Sequence, residues 1–210
     1  MSGSSKTSSQ IGEDKAEKNA LTDKSARVRM ELYDWLQCIV TAVICGLLIF
    51  VFVGRTISVD GISMMQTLKN NDRVVLSNLF YTPRNEDIIV FQTNSDDLHA
   101  PLVKRIIAIA GQTVYIDFNN GNVFVDGVLL NEERYINEIT SRQDDFYGSV
   151  TVPEGFVFVM GDNRNNSTDS RSNSVGLIDT RQILGKVMFV LIPGTDDDGG
   201  RDWSRFGLVS

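Results

Sequence analysis

The sequence predicts a mainly β protein: an antiparallel β-sandwich or barrel-like domain with an inserted β cap, tethered by one N-terminal transmembrane helix. Three observations predict it. Residues 35–53 form an uncharged apolar run of 19 residues. Beyond residue 57, short β-branched and aromatic runs alternate with Gly, Asn, Asp and Pro. No 11-residue window past the apolar run carries a convincing helical period of 3.6.

Residues 1–29 are rich in Ser, Lys, Glu, Asn and Asp and have almost nothing to bury, so they read as a disordered tail. The apolar run that follows would span about 28 Å as a helix, close to the hydrocarbon thickness of a bilayer. Tyr33 and Trp35 at its near edge suit a membrane interface. A cleavable signal peptide would be shorter, begin earlier and end in small residues; this run ends in Val51-Phe52-Val53-Gly54-Arg55. Residues 30–56 are therefore expected to be an uncleaved anchor. Lys24, Arg27 and Arg29 precede the run and only Arg55 follows it closely, which predicts a cytoplasmic N-terminus and an extracytoplasmic domain over residues 57–210.

Within that domain, strands are expected at residues 73–77, 87–91, 102–109, 113–117, 122–126, 156–160 and 185–191. Asn119-Asn120-Gly121-Asn122 and Asp126-Gly127 are hairpin signals. The more polar stretch of about residues 119–151 is expected to be the inserted hairpin or cap.

The net charge of −7 lies beyond residue 53, because the first 53 residues carry six basic and six acidic groups. An acidic domain without clustered Lys or Arg excludes nucleic acid as a partner. Both cysteines, Cys38 and Cys45, sit in the apolar run, so the domain has no disulfide framework and no Cys-based metal site. No metal and no cofactor is expected.

Ser63 and Lys104 are both embedded in apolar sequence, and the only histidine is His99. A serine hydroxyl needs a neighbouring base to become a nucleophile. A lysine at its reference pKa is neutral in only about one molecule in two or three thousand at pH 7. Burial among Leu102, Val103, Ile106 and Ile107 would depress that pKa. Strand alternation would let Lys104 face an apolar site while Arg105 points away to a carboxylate or water. Taken alone, each residue has a plainer reading, the serine as a turn residue and the lysine as a solvated strand residue.

Three segments change that balance. Ser63-Met64-Met65-Gln66-Thr67-Leu68, followed by Asn71-Asp72, resembles the nucleophile segment of the bacterial type I signal peptidases, Ser-Met-x-Pro-Thr-Leu followed by Gly-Asp. Val103-Lys104-Arg105-Ile106-Ile107 resembles that family's general-base segment. Gly161-Asp162-Asn163-Arg164-Asn165-Asn166-Ser167-Thr168-Asp169-Ser170-Arg171 is similar to its Gly-Asp-Asn-Arg-x-Asn-Ser-x-Asp-Ser-Arg box at every defined position. The segments occur in the family's order and cover nearly the whole domain.

The resemblance implies a membrane-bound serine endopeptidase. Ser63 would be the nucleophile and Lys104 the general base. Ser167 would hydrogen-bond and orient the amine, and Asp162, Arg164, Asp169 and Arg171 would form a supporting ion-pair shell. The substrate would be the signal peptide of an exported preprotein, cut after a small residue in an Ala-x-Ala pattern. Its strand would lie against Gly61, Ile62 and Met64 on one side and Leu102 and Val103 on the other. The remaining partner is the lipid bilayer, and a monomer is expected. The Asp- and Asn-rich box also resembles a calcium loop, though its arginines argue against a cation site.

Two positions depart from the family pattern. Gln66 replaces a proline that would stiffen the backbone beyond the nucleophile, and Gly61 offers no hydroxyl to an oxyanion hole, leaving the Ser63 N–H as its principal donor. Asn71 replaces a glycine, a milder change because Asn tolerates left-handed backbone. A self-cleaving Ser/Lys enzyme, and a non-catalytic membrane-anchored β module that binds exported peptides, are the competing readings.

Overall fold

The computed structural model describes residues 29–47, 55–93, 100–195 and 199–209. The expected tail over residues 1–28, residues 48–53 of the expected span, and His99 lie outside the described residues.

Helix α1, Arg29–Leu47, is 19 residues long, apolar enough to cross a membrane, and exposed along its length. Among the described residues it already takes in Arg29 to Asp34 ahead of Trp35, a stretch with no helix breaker. Cys38 and Cys45 are free thiols on it.

Among the described residues the second unit has twelve strands in two antiparallel sheets. β1 (Arg55–Ser58), β2 (Arg73–Ser77), β3 (Ile88–Phe91), β4 (Leu102–Ile109), β9 (Phe156–Met160), β10 (Ile178–Asp179) and β11 (Ile183–Ile192) form the larger one. Their order is β1-β2-β11-β3-β4-β9-β10, with β12 (Gly207–Leu208) paired onto β11. Register shifts in β11 against β2 and β3, and in β4 against β9, bend these strands, so the sheet curls as a half-barrel.

β5 (Thr113–Asp117), β6 (Asn122–Val125), β7 (Val128–Leu129) and β8 (Ser149–Thr151) form the smaller sheet, ordered β7-β6-β5-β8. Three of these strands, β6, β7 and β8, lie within the stretch of about residues 119–151 expected to be a cap, and β5 precedes it. Its hairpins turn where the Asn-Gly and Asp-Gly pairs predict: Gly121, Asp126 and Gly127 have φ of 74°, 53° and 77°.

β3 is buried along its whole length because it lies between β11 and β4 with apolar side chains covered on both faces. Ile88 and Val90 join one core cluster with Met64, Leu68, Val74 and Val103. Ile89 and Phe91 join another with Ile106, Val157 and Val159. A third cluster ties the small sheet to the large one, packing Val114, Ile116 and Val123 with Ile107, Phe146 and Phe158. Each such side chain taken out of water contributes roughly 1.5–3 kcal/mol. β4 is thus fixed on both edges and both faces, which makes it a rigid platform for Lys104 and Arg105.

Candidate active site

Ser63 lies in a loop between β1 and β2. The base of that loop is closed by hydrogen bonds from Val59 N to Asp72 O and from Asn71 N to Val59 O, both 2.8 Å. Inside it, Thr67 N and Leu68 N donate to Met64 O. Met64 and Leu68 are 1% and 0% exposed and anchor the turn in the core, leaving Ser63 half-buried beside an exposed Ile62. Asn71 holds the left-handed turn expected of it at φ 64°. Gln66 stands at φ 128°, a region that only glycine enters without strain.

Lys104 is 3% exposed, and its Nζ lies 2.6 Å from Ser63 Oγ and 3.1 Å from Val103 O. Burial lowers its pKa from 10.5 to about 8; Asp169 and Asp162 nearby act in the opposite direction, and Arg171 adds to the lowering. About one molecule in ten is then neutral at pH 7, against about one in three thousand at the unperturbed value. A neutral amine at this distance can accept the hydroxyl proton.

The box supports this pair from below. β9 runs beside β4 with Arg105 opposite Met160, and the box begins with the next residue, Gly161. A Cβ at Gly161 would lie 2.3 Å from Ser167 Oγ and 2.5 Å from Ser63 O, so only glycine allows this approach. Asn163 fastens the nucleophile loop directly: its N–H donates to Ser63 O and its Nδ2 to Ile62 O, each at 3.0 Å.

Arg105 finds the carboxylate expected of it. Its Nε and Nη2 donate to the two oxygens of Asp162 at 2.8 Å each, and Asp162 also accepts from Thr67 Oγ1. Asp169 is paired in the same two-bond manner with Arg171 and accepts from Gly161 N. Although burial acts to raise it, the Arg171 guanidinium holds the Asp169 carboxyl below the ordinary carboxylate range. Arg171 also donates to Arg142 O and Arg164 O. Arg164 donates to Gly161 O and, at 2.9 and 2.5 Å, to both oxygens of Glu132.

The three pairs are nearly inaccessible to water. Pairs of this kind add little net stability, but removing one partner costs about 3–5 kcal/mol. Their effect is to fix positions. Asp162 and Asp169 spend their oxygens on arginine, and among the described residues no three His, Cys, Asp or Glu side chains come together as a metal-binding group.

Ser167 is buried beside Gly161 and its hydroxyl helps to hold the Asp169 carboxyl low, while among the described residues no bond from it to the Lys104 amine is made. Met64 is a core side chain packed with Leu68, Val74 and Val103, and only its backbone remains for a substrate. Gly61 and Ile62 are exposed, Leu102 is half-buried and Val103 is 9% exposed. Among the described residues the Ser63 N–H has no acceptor.

Sequence reasoning assigned no role to Asn163, Thr67, Glu132, Tyr135 or Arg205. Asn163 was legible as a member of the box. Arg205 is far off in sequence, yet it donates to both oxygens of Asp72 and to Thr67 O.

Comparison with known proteins follows the same site. Residues 32–192 match the family profile described as "Signal peptidase, peptidase S26". The chain is 39% identical over 176 residues to "Signal peptidase I S" of Bacillus subtilis (strain 168), covering 79% of this chain and 91% of that protein. It is 39% identical over 166 residues to "Probable signal peptidase I-1" of Synechocystis sp., covering 75% and 81% of the two. A crystal structure of a signal peptidase I from Enterococcus faecalis V583 shares 29% identity and covers 51% of this chain and 97% of that one, with a TM-score of 0.40.

Proposed function

The chain belongs to the signal peptidase family, peptidase S26, and from that premise we propose that Ser63 is its nucleophile and Lys104 its general base. It is a serine peptidase of the signal peptidase I type, and its apolar N-terminal helix fits a membrane-anchored enzyme. The observation that carries the assignment of residues is the 2.6 Å contact between Ser63 Oγ and a buried Lys104 whose pKa is lowered to about 8.

In the acylation step, neutral Lys104 Nζ takes the Ser63 proton as Oγ attacks the scissile carbonyl. The developing oxyanion is met by the free Ser63 N–H, with no side-chain help from Gly61. The ammonium then gives its proton to the departing amine, leaving an ester at Ser63. Lys104, neutral again, activates the water that hydrolyses the ester. Asp162 and Asp169 act through position and charge, partly offsetting the desolvation that makes Lys104 acidic.

The substrate is the signal peptide of an exported preprotein, cut after the small residue of an Ala-x-Ala pattern. Its extended strand lies between residues 60–63 and 101–103, reading the exposed Gly61 and Ile62 on one side and Leu102 and Val103 on the other. The enzyme works as a monomer at the membrane, with the basic flank of Lys24, Arg27 and Arg29 in the cytoplasm and the β unit outside. Cleavage of an Ala-x-Ala precursor by wild type, Ser63→Ala and Lys104→Ala tests the assignment. Both variants should lose processing, and unchanged cleavage by either would refute it.

A further inference from the structure

Between β7 and β8 the chain makes a long irregular excursion, residues 130–148, in which three polar side chains turn inward while most others face solvent. Glu132 is 6% exposed, Tyr135 4% and Thr140 0%. The Tyr135 ring lies 4.1 Å from the Arg105 guanidinium and 5.9 Å from that of Arg164, so one ring serves two cations. Its hydroxyl donates to Glu132 Oε1, and the same carboxylate receives Arg164 through two bonds. Thr140 Oγ1 accepts a further bond from Arg164. Burial, together with the neighbouring Glu132 carboxylate, keeps the Tyr135 phenol firmly protonated.

The two cations lead back to the reacting atoms by separate routes. Arg105 follows Lys104 on β4 and holds Asp162, which holds Thr67, four residues beyond Ser63. Arg164 Nε holds the carbonyl of Gly161, the residue packed against Ser63 O. Neither arginine alone has a fixed direction. A guanidinium on a flexible stem takes its orientation from its partners, and for Arg164 those partners are Glu132 and Thr140.

We propose that Glu132 and Tyr135 are positioning residues of the peptidase: the excursion between β7 and β8 sets the Ser63–Lys104 geometry through Arg164 to Gly161 and through Arg105 and Asp162 to Thr67. This rests on the reading of Ser63 and Lys104 as the reacting pair. Neither Glu132 nor Tyr135 belongs to the three sequence segments that identify the family, and neither touches Ser63 or Lys104. Their influence passes through contacts that a conservative substitution can keep or lose. Tyr135→Phe keeps the ring between the cations and loses only the bond to Glu132. Tyr135→Leu removes the ring, and Glu132→Gln keeps the shape while leaving Arg164 without its counter-charge.

The test uses the full chain in detergent and a peptide bearing an Ala-x-Ala site, with kcat and KM measured from pH 6 to pH 10 and folding checked by urea unfolding. Glu132→Gln and Tyr135→Leu should lower kcat by about tenfold or more with KM within about twofold, as expected when reacting atoms are displaced slightly. Tyr135→Phe should recover most of the loss seen in Tyr135→Leu. Two results overturn the proposal: kcat within about threefold of wild type in the folded variants, or a loss that matches the unfolded fraction with no recovery in Tyr135→Phe. Ser63→Ala and Lys104→Ala run alongside, and cleavage by either would instead refute the reading of the reacting pair.

Discussion

Replacing Lys104 by methionine should abolish cleavage and change the pH dependence of folding in a calculable way. In the folded chain the amine has a pKa of about 8, and in the unfolded chain it returns to about 10.5. Below pH 8 both states are protonated, and the folded state bears the cost of a buried ammonium, about 3 kcal/mol from the gap between the two values. Between pH 8 and 10.5 the unfolded chain holds more protons than the folded one, so stability rises with pH. Above pH 10.5 both states are neutral and the cost is gone. From pH 7 to pH 9.5 wild type should therefore gain about 2 kcal/mol that the methionine variant does not. Methionine matches the stem in size but forfeits the bonds to Ser63 Oγ and Val103 O, about 1 kcal/mol each. Those losses do not depend on pH. The quantity to measure is the wild-type minus variant difference, from urea unfolding of the full chain in detergent followed by tryptophan fluorescence. A difference flat to within about 0.5 kcal/mol from pH 7 to 9.5 would refute a buried amine with a lowered pKa.

The remaining predictions concern neighbouring positions. kcat/KM should rise about tenfold per pH unit up to about pH 8 and level off above, since only neutral Lys104 accepts the proton; a limb near pH 10 would contradict this. Gln66→Gly should raise the melting temperature, corresponding to about 1 kcal/mol released from a φ of 128°, and an unchanged or lower melting temperature would show that the position is not strained. Gly161→Ala should cut kcat by about tenfold or more, because its Cβ would meet the Ser63 carbonyl at 2.5 Å; near-normal turnover would mean that the nucleophile loop shifts without consequence.

Much of the β framework is legible in sequence because its central strands carry enough residues to show a pattern. The runs at residues 73–77, 102–109, 113–117 and 156–160 coincide with β2, β4, β5 and β9. β7, β10 and β12 have two residues each and β8 three, too few for alternation to register. They form because neighbouring strands present unpaired backbone, which is a long-range cause. The site divides in the same way. Ser63, Lys104 and the box are local segments with specific residue orders. Glu132, Tyr135 and Arg205 sit in irregular or terminal chain, and only folding brings them against Arg164, Arg105 and Asp72. The place of Met64 next to the nucleophile says nothing in sequence about which way its side chain turns, and the turn is held by sinking that side chain into the core.

The missing proline at position 66 sharpens what holds the nucleophile. A proline would limit the loop by restricting its backbone. Here Gln66 takes a conformation that costs energy, so the restraint must come from elsewhere, and it is concentrated on the next residue. The Thr67 hydroxyl is held by Asp162, its N–H by Met64 O, and its carbonyl by Arg205, which also grips Asp72 at the base of the loop. On the far side of Ser63, Asn163 holds both Ile62 O and Ser63 O. The nucleophile is thus bracketed by hydrogen bonds, from the box on both sides of it and from the C-terminal segment after it. Such restraint is enthalpic and distributed, where a proline's would be covalent and local. Losing any one contact should loosen Ser63, while the backbone strain at Gln66 persists only because the others remain.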